Sequence, residues 1–218
     1  HMMIIVKALY GLRTSGARYW ERFPDTLRDM GFAPSRADGC VWMRDAGPHW
    51  EYVCVYVDDL MAIMKDPKAF FTELQGPKYM YKLKGVAAPS YHLGGDFSRH
   101  PDGTYVWGAK TYIKRLIANY ELMFGDKPKE WLSPAEHGDH PEVDTSELLD
   151  TDGIRQYMSL LGALQWSISL CRFDIATAVM TLGRFRVAPR VGHMDRLKRV
   201  CGYLRKNPDA AIRFRTGI

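Results

Sequence analysis

Asp58 and Asp59 are the residues whose type and spacing could do chemistry. They lie in Tyr56-Val57-Asp58-Asp59-Leu60, between apolar runs at 50–57 and 60–64. Both runs are rich in Val, Ile, Tyr and Met, and both are short enough for strands. The pattern predicts a hairpin whose two-residue turn is the aspartate pair. Two carboxylates this close repel each other unless a cation neutralises them, and a hard ion such as Mg²⁺ prefers carboxylate oxygens. Asp also favours turns for its own hydrogen bonds, in which case the pair is simply solvated. A solvated turn has no need of buried strands on both sides. The functional reading therefore expects Val53, Val55, Val57 and the run 60–64 to be buried.

The elements that must position this tip can be read from periodicity and punctuation. A glycine-containing segment, Lys7 to Gly16, leads into a helix from Ala17. Tyr19, Trp20, Phe23, Leu27 and Met30 keep helical spacing there, and Gly31 stops it. Pro24 should kink or divide that helix. Cys40–Arg44 and 50–57 read as strands joined by Asp45-Ala46-Gly47-Pro48, and 60–64 adds a third. Asp66-Pro67 is a helix start, with Asp as N-cap and Pro in the first turn, and Gly76 ends it. The layout is a small antiparallel sheet with helices on one face, an α+β arrangement. Further on, Tyr91–Phe97 and Thr104–Gly108 read as two strands flanking His100-Pro101-Asp102-Gly103. Tyr112, Ile113, Leu116, Ile117, Tyr120 and Met123 mark a helix closed by Gly125. A long exposed loop is expected over 133–153, then helices at 154–170, 174–185 and 193–206. In the last, Met194, Leu197, Val200, Cys201 and Leu204 form the buried stripe.

Charge is unevenly spread around a net +5. From Leu182 to Ile218 there are ten Lys or Arg against two Asp, a balance of +8. From Glu130 to Gly153 there are eight Asp or Glu and no Lys or Arg, a balance of −8. A basic end suits phosphate binding, and equally an ordinary solvated helix face. The 46% hydrophobic and 25% charged fractions exclude a disordered or fibrous chain, and no run is long enough for a membrane span. Cys40, Cys54, Cys171 and Cys201 have no metal-ligand spacing and suit a reducing, intracellular setting. His137 and His140 flank Asp139 in the acidic loop, where a solvated loop is the plainer reading than a metal site. His1-Met2 reads as a cloning remnant, so the native N-terminus is expected elsewhere.

Tyr56-Val57-Asp58-Asp59 resembles the Tyr-x-Asp-Asp box of reverse transcriptases. Lys7 to Ser15 looks like the preceding box of copia-type retrotransposon polymerases, and Leu93-Gly94-Gly95-Asp96-Phe97 like their following hairpin. Tyr157–Trp166 and Arg172–Val179 look like the downstream helical boxes. The matches run in family order from Lys7 to about Thr216. The resemblance implies a right-hand polymerase piece: partial fingers and palm over 3–109, then an all-helical thumb over 110–218 with an acidic loop near 130–153. It implies an RNA-directed DNA polymerase that joins a dNTP to a primer 3′-hydroxyl with Mg²⁺ or Mn²⁺. Asp58 and Asp59 match its metal ligands, and Lys82 a lysine that protonates the pyrophosphate leaving group. Tyr10, Gly11, Arg13 and Ser15 match nucleotide-pocket positions, although Gly16 stands where the family usually has Pro. Tyr56, Leu93, Gly94 and Gly95 match primer and template contacts, with Gly95 in place of a bulkier residue. The basic helix would add Arg196, Arg199 and Arg205 as phosphate contacts. The implied partners are a primer–template duplex, dNTP and the rest of a retrotransposon polyprotein, in a cytoplasmic virus-like particle or the nucleus, with no membrane. The family's third carboxylate is expected upstream of Lys7, and its ribonuclease H domain beyond residue 218. On this reading the isolated piece is inactive. Two alternatives stay open: a non-catalytic nucleic-acid-binding module in which Asp58 and Asp59 are relics, and a metal-dependent phosphodiesterase.

Overall fold

A computed structural model describes the chain from residue 13 to 215, with side chains from residue 21. The chain divides into two units between Ala88 and Pro89. In the first unit, helix α1 (Arg13–Asp29) precedes four strands: β1 (Ala33–Pro34), β2 (Val41–Asp45), β3 (Trp50–Tyr56) and β4 (Asp59–Ile63). They form one antiparallel sheet in the order β1-β2-β3-β4. α1 starts four residues earlier than its apolar spacing suggests and runs through Pro24 undivided. Helix α2 (Pro67–Gln75) follows, and the Asp66 carboxylate accepts the Ala69 N–H at 3.0 Å, the cap expected from sequence.

Strand alternation builds the core of this unit. Val53 and Val55 on β3 point to the same side as Trp42 on β2, where Phe23 and Leu27 of α1 and Phe70 and Leu74 of α2 meet them. Glu51 shares that side of β3 and is buried, but Arg44, directly opposite on β2, donates to its Oε2 from Nε at 3.0 Å and Nη2 at 2.6 Å. The same guanidinium donates to the Met30 carbonyl at 2.8 Å, so one arginine joins the end of α1 to the sheet. Val55 is 2% exposed, and Val55→Ala should cost about 1–3 kcal/mol, read as a lower denaturant midpoint. Burial stops short of the hairpin tip. Val57 is exposed, Leu60 and Met64 are half-buried and Ile63 is exposed. The expectation of a fully buried 60–64 run fails because β4 is the last strand of its sheet and only one of its faces meets the core.

The second unit also holds a sheet. β5 (Tyr91–His92), β6 (Gly95–Arg99), β7 (Tyr105–Gly108) and β8 (Ala211–Phe214) are antiparallel in that order. Tyr91–Phe97 is thus not one strand. It reverses at Leu93-Gly94, with φ of 50° and 90°, the left-handed pair that a tight hairpin turn requires. Helices α3 (Lys110–Phe124), α4 (Thr151–Ser169), α5 (Ala176–Leu182) and α6 (Val191–Lys206) complete the unit. Their core unites Ile113, Leu116, Tyr157, Leu161, Leu164, Val179, Leu197 and Leu204. Gly125 at φ 82° closes α3, as its position predicts. Two expectations change here. The compact units part at 88/89 rather than 109/110, and residues 110–218 are not all helical. The cause is β8, which returns to pair with β7 and keeps the 91–108 strands with the helices.

The acidic stretch is not a free loop either. It lies along α6 as a strap, with Pro141 buried and its carbonyl 2.9 Å from His193 Nε2. Arg196 donates to Asp139 through Nε and Nη2, both at 2.8 Å, and to Asp144 through Nη1 at 2.6 Å.

Candidate active site

The hairpin register sets the geometry of the acidic tip. Tyr56 pairs with Asp59, so the two-residue loop is Val57-Asp58, not Asp58-Asp59. Asp59 already belongs to β4. In this ladder Asp59 shares a face with Tyr56, Cys54 and Met61, while Leu60 and Ala62 face the core with Val55 and Val53. Asp59 therefore lies on the face away from α1 and α2. Asp58 sits in the loop itself, and both carboxylates are exposed. Val57 carries the turn at φ 54° while 57% exposed. A β-branched side chain rarely adopts this left-handed backbone, and strain of this kind, on the order of 1–3 kcal/mol, concentrates at functional tips. The tight reversal presents two neighbouring carboxylates at the open end of a rigid pair of strands.

The other sequence-derived residues are more scattered. Tyr56 is exposed, directly opposite Asp59. Lys82 is exposed in the irregular segment after α2, and among the described residues no hydrogen bond or ion pair links it to the tip. Tyr10 and Gly11 lie outside the described residues. Arg13 and Ser15 fall in the first turn of α1, with side chains likewise outside them. Among the described residues no three His, Cys, Asp or Glu side chains converge on a possible metal position.

In the second unit the Leu93-Gly94 turn packs against the end of α4. A Cβ on Gly94 would meet Leu170 at 3.2 Å and Trp166 Nε1 at 3.6 Å. A Cβ on Gly95 would overlap the Trp107 indole, which explains a glycine where a bulkier residue is usual. Sequence reasoning missed the outer face of α4. Met158, Gly162 and Trp166 succeed one another at four-residue intervals; Trp166 is 51% exposed, and open space faces Gly162. The available signal was a second apolar stripe on a helix whose core stripe, Tyr157, Leu160, Leu161 and Leu164, was already complete.

Arg196, Arg199 and Arg205 do not form a free basic face. Arg196 is held by Asp139 and Asp144, Arg199 by Glu136 and the Trp131 ring at 4.1 Å, and Arg205 by Glu130 at 3.6 Å and the Pro128 carbonyl at 2.8 Å. The −8 stretch has folded onto the +8 stretch. The Ser146 hydroxyl, donating to Asp144 at 2.5 Å, together with Arg196 outweighs burial and brings the Asp144 carboxyl down to about 2. Because the folded value lies below the unfolded one of 3.8, this pairing stabilises the protein above that value and is lost as pH falls toward 2. Denaturant melts should show stability declining between about pH 4 and pH 2, with a shallower decline in Asp144→Asn.

Residues 2–129 match the family model described as reverse transcriptase (RNA-dependent DNA polymerase). The chain is 26% identical over 211 residues to the retrovirus-related Pol polyprotein from transposon RE1 of Arabidopsis thaliana, covering 97% of this chain and 14% of that one. It is 24% identical over 214 residues to a transposon Ty5-1 protein of Saccharomyces cerevisiae, covering 96% and 66% respectively. Against the Pol polyprotein from transposon TNT 1-94 of Nicotiana tabacum it is 24% identical over 204 residues, covering 91% and 15%. The chain thus spans about a seventh of the plant polyproteins and just under two thirds of the yeast relative. No solved structure matches it. With more than half of its length matched by that model, and with copia-type transposon proteins as its relatives, the chain belongs to the reverse transcriptase (RNA-dependent DNA polymerase) family.

Proposed function

We propose that this chain forms part of a centre that joins a deoxynucleotide to a primer 3′-hydroxyl, copying RNA into DNA. The reaction is an in-line phosphoryl transfer. Mg²⁺ or Mn²⁺, when bound, neutralises charge on the attacking and leaving oxygens. Asp58 and Asp59 would hold the metal, because adjacent exposed carboxylates are the hard oxygen donors such ions prefer. That tip, raised on a strained tight turn, is the observation that carries the reading. Tyr10, Gly11, Arg13 and Ser15 receive the nucleotide, and Lys82 supplies a proton to the leaving pyrophosphate. Tyr56 and the Leu93–Gly95 hairpin position the primer, beside the open face of α4 in the case of the hairpin.

Two carboxylates are too few for two closely spaced divalent ions. No third ligand converges among the described residues, and residues 1–12 contain no Asp or Glu. A further carboxylate would come from elsewhere in a polyprotein of which this chain would be one part, and little primer extension is expected from residues 1–218 alone. The partners are a primer–template duplex, dNTP and the flanking polyprotein, in a cytoplasmic particle or the nucleus. No described helix is long and apolar enough to cross a membrane. The test is primer extension on an RNA template by a longer polyprotein segment that includes this chain. Mg²⁺-dependent extension is expected. Its absence, together with no Mg²⁺ binding at the tip, would favour a non-catalytic nucleic-acid-binding module.

A further inference from the structure

The Leu93–Gly95 hairpin has little of its own to fix its place. Its first strand, β5, has two residues and pairs only with β6, at the edge of the sheet. Its turn carries Leu93 at φ 50°, a left-handed backbone that leucine seldom adopts, with the side chain 44% exposed. Support must come from neighbours. Gly94 rests on Leu170 and Trp166. Gly95 rests on one side chain: the three atoms that an added Cβ would meet first all belong to the Trp107 indole, with Cδ1 at 2.9 Å. The two glycines serve different ends. Gly94 reverses the chain at φ 90°, whereas Gly95 begins β6 outside the left-handed region, so only the indole excludes a side chain there.

Trp107 itself is held firmly. It lies on β7, an interior strand, opposite Phe97 on β6 and Ile212 on β8. The register puts its ring on the sheet face that Phe97 and Gly95 share. The ring stacks on Phe97, with centroids 6.2 Å apart and planes at 17°. The Trp107 carbonyl accepts the Cys171 thiol at 3.3 Å. Its Nε1 is buried with no hydrogen-bond partner among the described residues, so the shape of the ring, not its N–H, accounts for a tryptophan here. A rigid ring on an interior strand thus meets a hairpin that lacks support of its own, at the one position where the hairpin has no side chain. We propose that Trp107 is a positioning residue: the fit of its indole against Gly95 sets the place of the Leu93–Gly94 turn, and through it the placement of the primer end. Trp107 acts through the hairpin and not on the reacting atoms. This rests on the reading above that the hairpin positions the primer.

The test uses the longer polyprotein segment that extends a primer, with primer and dNTP varied separately. Trp107→Ala should raise the KM for primer about fivefold or more while the KM for dNTP stays within about twofold. Gly95→Leu should show the same signature, because its side chain displaces the indole. The double replacement, Gly95→Leu with Trp107→Ala, should recover most of the loss. The extended backbone at position 95 accepts a side chain, and that side chain fills the space the indole leaves. Gly95→Leu is therefore harmful beside Trp107 and helpful without it. Should Trp107→Ala fold poorly, Trp107→Leu is the milder probe, with a change of the same direction. Residues 1–218 give a second readout. The Phe97 N–H donates to the Ser90 carbonyl at 2.9 Å across the base of the hairpin. Its amide exchange, taken relative to amides of α6, should quicken in both single variants and return toward the parent rate in the double. Folded single variants with an unchanged primer KM, or a double no better than the worse single, would overturn the inference alone. So would kinetic constants that all fall in step with the melting temperature, since Trp107 would then be packing and nothing more. If no longer segment extends a primer, the functional reading fails and takes this inference with it.

Discussion

Asp58→Asn, placed in a polyprotein segment long enough to extend a primer, should lower Mg²⁺-dependent extension on the order of 10³-fold. The amide keeps the shape of the side chain and removes its charge. Asp58 occupies the two-residue loop, so its backbone is set by Val57 on one side and by the Tyr56–Asp59 pair on the other. An uncharged residue at that place leaves the turn intact, and the loss will not be a folding defect. Unchanged far-ultraviolet dichroism and melting temperature would establish that point. Asp59→Asn should cost less, because Asp59 starts β4 and its side chain is directed by the ladder to the same side as Tyr56. Equal activity of Asp58→Asn and the parent would show that the chemistry is carried by carboxylates elsewhere.

The largest effect on stability is expected at Asp174. Arg172 is 0% exposed and donates to Asp174 from Nε at 3.0 Å and Nη2 at 2.7 Å. Its Nη1 has no hydrogen-bond partner, and its guanidinium carbon lies 5.9 Å from the Tyr203 ring centre. Burial pushes the Asp174 carboxyl up, but the Arg172 guanidinium outweighs it and holds the net value below the ordinary one. Asp174→Ala would leave a buried cation with no counter-charge, and should destabilise the second unit by about 3–5 kcal/mol. Replacing both residues with apolar ones of similar volume should cost far less, since the pair's attraction largely repays its own desolvation. Denaturant melts of the two singles and the double would separate these terms; equal losses in Asp174→Ala and the double replacement would mean that packing, not charge, holds the corner. The site matters because this corner ends α4 next to the Leu93-Gly94 turn. Cys171, at φ 76°, also donates its thiol to the Trp107 carbonyl at 3.3 Å. Loosening the corner should therefore reach the hairpin assigned to the primer.

Local chemistry in the chain was enough to determine several features of the protein. The acidic tip between two strands, the Asp66-Pro67 helix start, the Gly125 stop and the apolar stripe of α6 all depend on residues within a few positions of each other. Caps, turns and periodicity act over that range, so they can be read without a fold. Only the tertiary structure decided the rest. Which two residues form the turn depended on strand register, and pairing Tyr56 with Asp59 moved the loop by one residue to the strained Val57. The sheet of the second unit needed β8, a four-residue strand whose partner lies about a hundred residues earlier. The glycine at position 95 made sense only once Trp107 was seen to lie over it. The basic face of α6 was legible as charge, but not its occupancy. Asp139 and Arg196 are 57 positions apart, and no local rule brings opposite charges together across such a span. Folding did so because a partly buried guanidinium is costly to leave unpaired, and the strap held the nearest carboxylates.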